Sequence, residues 1–250
     1  MVDLFLAELY RSFLQFRRYP LEFVGGLVTL SLIFYLLFAG ARLLTGPGVE
    51  FGDRLEGVLV GYLLWTFTLS AYNGLSFFLM EEARTGTLEQ LFLTPYGPTR
   101  LLLLRQLADL FNQGIFVLVL GFILAALTGA QLDFSPAVFL PALAVLLGGY
   151  GLGLLMGSLA LLFKRIGQLL GLSQFLLLIP LQAPGEGVWT LLPLAPGAAS
   201  AREMMAQGSP LGTGPLLLAW ANGLGYFLVG LWVFNWAVRL AKARGLLHGY

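Results

Sequence analysis

Catalysis needs a nucleophile, a titratable acid or base, or a set of metal ligands, and this chain is nearly bare of all three. It has no Cys and a single His, His248, which excludes thiolate chemistry, disulfides and any His-based metal site. Its two lysines, Lys164 after Phe163 and Lys242 after Ala241, lack the preceding glycine run that a phosphate-binding loop requires. Energy from ATP would therefore have to come from another polypeptide. Asp109 stands within apolar sequence four residues after Arg105, so the two can pair on one helix face. Such a pair near the end of a span reads as structural, although an intramembrane carboxylate is also a candidate ion or proton site.

The other polar groups in apolar sequence are amides and aromatic tips. Asn73 and Gln174 are lone amides, which read as interhelical hydrogen bonds. Tyr62, Trp65, Phe67, Tyr72 and Phe77 crowd one segment. Tyr62, Trp65, Tyr72 and Asn73 are the candidate lining of a path for an amphipathic substrate, the plainer alternative being an aromatic helix that faces lipid.

The elements that carry these residues follow from composition. Of 250 residues, 58% are hydrophobic and 11% charged, a balance that makes lipid the solvent. The net charge of +1 gives no support to nucleic-acid binding, which needs a basic stripe. A hydrocarbon core about 30 Å thick needs roughly 20 apolar residues in a helix. Six stretches lack Asp, Glu, Lys and Arg: Phe23 to Ala41, Gly57 to Met80, Leu110 to Leu132, Phe134 to Phe163, Ile166 to Gly185 and Met204 to Val238. The third extends back to the leucine run at Leu101, and the last starts its helix near Pro215. The expectation is an all-α membrane protein with six transmembrane helices over about 22–44, 56–80, 101–129, 136–163, 166–183 and 215–240.

Six spans put both termini on one side. Arg11, Arg17, Arg18, Arg84, Arg100, Arg105, Lys164, Arg165, Arg239, Lys242 and Arg244 then share that side, against Arg42, Arg54 and Arg202 on the other. Basic residues accumulate in cytoplasmic loops. Both termini and segment 81–98 are therefore expected in the cytoplasm of a plasma-membrane protein, and 184–214 outside.

Three stretches are not ordinary spans. Residues 1–20 carry Val2, Phe5, Leu6, Leu9, Phe13 and Phe16 at helical spacing, with Glu8, Arg11, Gln15 and Arg18 on other faces. That pattern is an amphipathic interface helix, serving as a basic anchor or as a contact with a partner protein. Pro184 to Pro215 places Trp189, Leu191, Leu192 and Met204 among many Gly and Pro residues, which suits an interfacial seat better than a free loop.

The third stretch, Met80 to Pro98, reads MEEARTGTLEQLFLTPYGP. Thr87 and Gln90 have capping-box spacing, so a short helix is expected to start at Thr87 after Gly86. Leu88, Leu91 and Phe92 share one face, and Pro95 and Pro98 stop the helix. Two turns are too short to be stable alone. The apolar face must pack either on its own bundle or into another protein.

This pattern resembles the permease subunits of type-2 ATP-binding-cassette exporters, whose loop between the second and third spans carries acidic residues, a Gly-Thr-Leu-Glu run, then Leu and Thr-Pro or Ser-Pro. The chain has Glu81, Glu82, Arg84, Gly86, Thr87, Leu88, Glu89, Gln90, Leu91, Phe92, Thr94 and Pro95 in that order. The amphipathic start, the span count and the Pro-rich outer loop extend the resemblance over the whole chain. It departs in the outer loop, with Ala195 before Pro196 where family members often have Asn-Pro. The resemblance implies a partly re-entrant outer loop, a cytoplasmic coupling helix in 81–98 resting on a separate ATPase subunit present in two copies, and ATP and Mg bound on that partner. It also implies a second copy of this chain or a similar permease. The alternative from the residues alone is a secondary transporter, ion- or proton-coupled through Asp109, which would need discontinuous helices in two inverted halves. Gly149, Gly153 and Gly157, and again Gly167 and Gly171, stand four apart, a spacing that lets helices pack closely.

Overall fold

In the computed structural model, residues 2–45, 52–93, 97–132, 135–207 and 212–245 are described, and among them every regular element is helical. Helix α1 (Val2–Arg18) is followed by α2 (Pro20–Thr45) and by α3 (Gly52–Thr85), which leads into the short α4 (Leu88–Phe92). Helix α5 (Pro98–Thr128), a 3-10 turn at Pro136–Val138 and α6 (Phe139–Phe163) come next. The chain closes with α7 (Gly167–Leu176), α8 (Leu178–Gln182), a 3-10 turn at Gly187–Leu191, α9 (Ala195–Gln207) and α10 (Thr213–Ala243).

Among the described residues, five helices are long and apolar enough to cross a membrane: those at 20–40, 55–85, 98–128, 136–163 and 213–243. They coincide with five of the six expected spans. The sixth, expected over 166–183, is not one long helix. It is α7 and α8, a shorter apolar stretch of Gly167–Gln182 divided at Leu177, about 24 Å of helix against the roughly 30 Å of a hydrocarbon core. Pro180 has no N–H to continue the backbone ladder, which accounts for the division.

Helices α3 and α6 form the interior, with 67% and 61% of their most apolar windows buried, against 11% for α2 and 17% each for α5 and α10. Helix α6 has α3 on one side and α10 on the other. Its small residues explain the closeness. A Cβ at Gly149 would lie 2.7 Å from Thr68 Cγ2, one at Gly153 would collide with the Ala71 carbonyl, and one at Gly157 would lie 2.6 Å from Leu75 Cδ2. On the opposite face a Cβ at Gly151 would strike the Tyr226 carbonyl, and one at Gly230 of α10 would strike that of Gly151. Backbone-to-backbone approach of this kind supplies dispersion contacts that lipid cannot match. Gly167 and Gly171 have nothing within 4 Å among the described residues, so that second glycine pair takes no part in close packing there.

Helix α1 packs along α5, and Leu6, Tyr10 and Phe13 leave more than half of their surface exposed. Helix α2 presents Leu21, Val24, Val28, Leu32 and Leu36 outward, as a lipid-facing helix does.

Candidate functional site

The segment singled out by the sequence lies where α3 ends. Helix α3 runs without a break through Glu81, Glu82 and Arg84 to Thr85, and Gly86 then takes φ 76°, a left-handed conformation that costs a residue without Cβ nothing. The chain turns there, the Thr87 N–H bonds the Glu82 carbonyl at 3.0 Å, and one turn of helix, α4, follows. The expected capping box is absent. Thr87 does occupy the N-cap, but its backbone is right-handed helical (φ −94°, ψ −2°) and its side chain makes no cap bond. An N-cap hydroxyl reaches its amide only from an extended backbone. Here it donates instead to the Glu82 carboxylate.

Of the two packings open to its apolar face, α4 takes the one on its own bundle. Leu88 is 2% exposed and Phe92 7%, and both belong to the core, with Leu91 packed against it. The chain buries most of this face itself, since one turn of helix gains nothing by holding two large apolar side chains in water. Lys242 of α10 sits 5.8 Å from the centre of the Phe92 ring, so α4 touches the end of the last span as well as α3. Its outer surface is Glu89, Gln90 and Leu93, the last 77% exposed. Glu81 and Arg84 face solvent and approach each other at 3.8 Å, a distance and exposure that contribute little. Thr94 and Pro95 lie outside the described residues.

Basic side chains gather round the same end of the bundle. Arg105 places its guanidinium 3.8 Å from the centre of the Phe78 ring on α3, a cation–π contact, within the electrostatic reach of Asp109, Glu8, Arg11 and Glu82. Asp109 therefore belongs to a charge cluster joining α1, α3 and α5. Thr99 of α5 donates to Asn235 Oδ1 of α10 at 3.0 Å.

The four candidate path residues are buried on α3 and serve as ties between helices. The Tyr62 hydroxyl donates to the Leu30 carbonyl of α2 at 2.8 Å and the Trp65 indole to the Gln174 carbonyl of α7 at 2.9 Å. The Tyr72 hydroxyl donates to Ser173 Oγ at 2.7 Å, and the Asn73 amide to Gln174 Oε1 at 3.1 Å. The Tyr62, Trp65 and Tyr72 tips and the Asn73 amide N–H thus find the partners that burial demands. Three oxygens along the same helix, Thr66 Oγ1, Asn73 Oδ1 and Ser76 Oγ, are buried without a partner among the described residues.

A small apolar cavity of about 80 Å³ lies elsewhere, bounded by Leu63 and Phe67 of α3, Val117 of α5, Val138, Ala142 of α6 and Met205 of α9. It is not lined by Tyr62, Trp65, Tyr72 or Asn73.

At the opposite end of the bundle, sequence reasoning missed the residues that organise segment 184–214. Helix α9 buries Ala195, Ala198, Ala201, Met204 and Met205 against α3, α6 and α10, so this helix is built into the bundle. Asn222 of α10 holds it: its amide donates to the carbonyls of Thr190 at 2.9 Å and Leu192 at 3.0 Å, and its Oδ1 accepts the Leu194 N–H at 3.1 Å. Arg202 reaches the carbonyls of Leu181 and Ala183, which the end of α8 leaves without helical partners. Burial pulls Arg202 below the ordinary arginine range while Glu203 opposes that shift. An Asn within an apolar span was the available signal for this latch. No family model, curated protein or solved structure matches this chain.

Proposed function

We propose that the chain is the membrane-spanning subunit of an ATP-driven exporter, related to the type-2 ATP-binding-cassette permeases, with both termini and segment 81–98 on the cytoplasmic side. The observation that carries this reading is the construction of α4. A single helical turn is rooted in the bundle by Leu88 and Phe92 and presents Glu89, Gln90 and Leu93 to solvent. An element held this way moves with α3 and the end of α10 when pushed, which is what a transmission element between an ATPase and a membrane bundle has to do. The gathering of Arg84, Arg105, Lys164, Arg165 and Lys242 at the same end supports the orientation. ATP and Mg belong in this reading to two copies of a separate ATPase subunit, and a second copy of this chain or a similar permease completes the passage.

In this reading the solvent-facing side of α4 is the contact surface. Leu93, Glu89 and Gln90 meet the ATPase, while Leu88 and Phe92 fix the helix from behind. Leu93→Asp with Glu89→Arg, expressed beside the candidate ATPase, should leave membrane yield unchanged and abolish co-purification and stimulated ATP hydrolysis. Full coupling in that variant would remove the ground for the reading.

A further inference from the structure

Between the end of α3 and the turn from α6 to α7 lies an open pocket of about 490 Å³, lined by Phe77, Met80, Glu81 and Arg84 on one side and Lys164, Arg165 and Gly167 on the other. Its lining is amphiphilic in order. Three cations and a single carboxylate stand at the end of the bundle, and Phe77 and Met80 follow one to two turns further along α3 into the apolar span. Phe77 is 52% exposed and Phe163, next to Lys164, is 67% exposed, so apolar surface continues from the basic rim along the helices.

The turn that carries two of the cations is fixed and unusual. Lys164 has φ 58° and ψ −27°, a left-handed conformation where Gly is the ordinary residue at a helix end. Its N–H bonds the Ala160 carbonyl at 2.8 Å, and the Arg165 N–H bonds the Phe163 carbonyl at 2.7 Å. One cation would suit the negative end of α6. Here two adjacent cations line the pocket together with Arg84.

We propose that this cavity seats an anionic phospholipid, its phosphate among Arg84, Lys164 and Arg165 and an acyl chain along Met80 and Phe77. Charge complementarity selects a phosphate-bearing head, since a basic pocket between spanning helices attracts anionic headgroups, and arginine binds phosphate through two parallel hydrogen bonds. The apolar side chains beneath select a lipid over a free phosphate. Glu81 meets Arg84 only at 3.8 Å in a solvent-exposed pair, which a phosphate displaces at small cost. The inference rests on the membrane placement of α3 and α6 and not on an ATPase partner.

The test uses the purified full-length chain in neutral detergent, where sidedness and partner subunits do not enter, so its failure leaves the exporter reading untouched. Bound phosphatidylglycerol and phosphatidylcholine are counted by native mass spectrometry. The expected result is preferential phosphatidylglycerol binding, weakened about tenfold or more in Lys164→Gly with Arg165→Gln, and not displaced by inorganic phosphate. Lys164→Gly relieves the left-handed strain, so its thermal midpoint should not fall, and lost binding cannot be attributed to lost fold. Equal binding of the two lipids, unchanged binding in the double variant, or displacement by inorganic phosphate would each overturn the assignment.

Discussion

The side-chain amide of Asn73 on α3 donates to the side-chain oxygen of Gln174 on α7 at 3.1 Å, so two amides 101 residues apart in apolar sequence are each other's partner. The pair ties the divided segment α7–α8 to the interior helix, together with Tyr72 to Ser173 and Trp65 to the Gln174 carbonyl. Interhelical bonds of this type contribute about 0.6 kcal/mol on average and up to about 1.7 kcal/mol. A double-mutant cycle of Asn73→Ala and Gln174→Ala, read from reversible unfolding in mixed micelles, should give a coupling energy in that range. Strict additivity would show that the bond contributes nothing.

The glycines divide into two kinds that substitution should separate. Gly153 and Gly151 have partner backbone where a Cβ would stand, so Gly153→Ala or Gly151→Ala forces α3 or α10 away and should cost about 2 kcal/mol or more. Gly171 has open space within a helix. Gly171→Ala should stabilise the chain by about 0.5–1 kcal/mol. Equal effects at the three positions would contradict the packing described for α6.

Phe92 and its neighbour Leu93 should behave oppositely. Phe92→Ala empties a core position and should destabilise the chain itself by about 3–5 kcal/mol, seen as lower yield and a lower thermal midpoint without any partner present. Leu93→Ala, at an exposed site, should change stability by less than about 0.5 kcal/mol. A stable Phe92→Ala would show that α4 is not rooted in the bundle.

The absence of native cysteines makes sidedness directly measurable. Val188, 77% exposed in the segment between α8 and α9, and Gln90, exposed on α4, stand at opposite ends of the bundle. In intact cells, Val188→Cys should react with an impermeant thiol reagent applied outside, and Gln90→Cys only after permeabilisation. The reverse pattern would invert the orientation inferred from the basic residues.

Arg202 and Asn222 should act locally. Replacing Arg202 by Met leaves the carbonyls of Leu181 and Ala183 without their partner, at about 1–3 kcal/mol, and Asn222→Leu removes three bonds to residues 190–194. Hydrogen exchange should then accelerate in 183–207 while the amides of α6 keep their protection. Uniform acceleration through α6 would mean that the latch supports the whole bundle.

Much of the fold was legible because lipid imposes length and polarity on each helix separately. Five of the expected spans agree with the observed helices to within a few residues, since a charge-free run of about 20 residues has one stable solution in hydrocarbon. The division of the remaining span at Leu177 had its signal in Pro180. The glycine spacing in α6 announced close packing, although the same spacing at Gly167 and Gly171 did not produce it. Spacing alone does not name a neighbour.

The candidate coupling segment divides the same way. Its residue order, its turn at Gly86 and its short helix are properties of consecutive residues, and the sequence by itself determined them together with the helical spans and the gathering of basic residues. Whether Leu88 and Phe92 face a partner or their own bundle depends on where the ends of α3 and α10 leave room, and the tertiary structure decided for the bundle. It also decided that the Thr87 hydroxyl meets Glu82, that Tyr62, Trp65, Tyr72 and Asn73 tie helices together, and that Arg202 and Asn222 hold the segment before α10. Periodicity tells which side chains share a face of one helix, but only the packing of several helices sets which of those faces touch, because that choice is fixed by shape and hydrogen bonding between residues far apart in the chain.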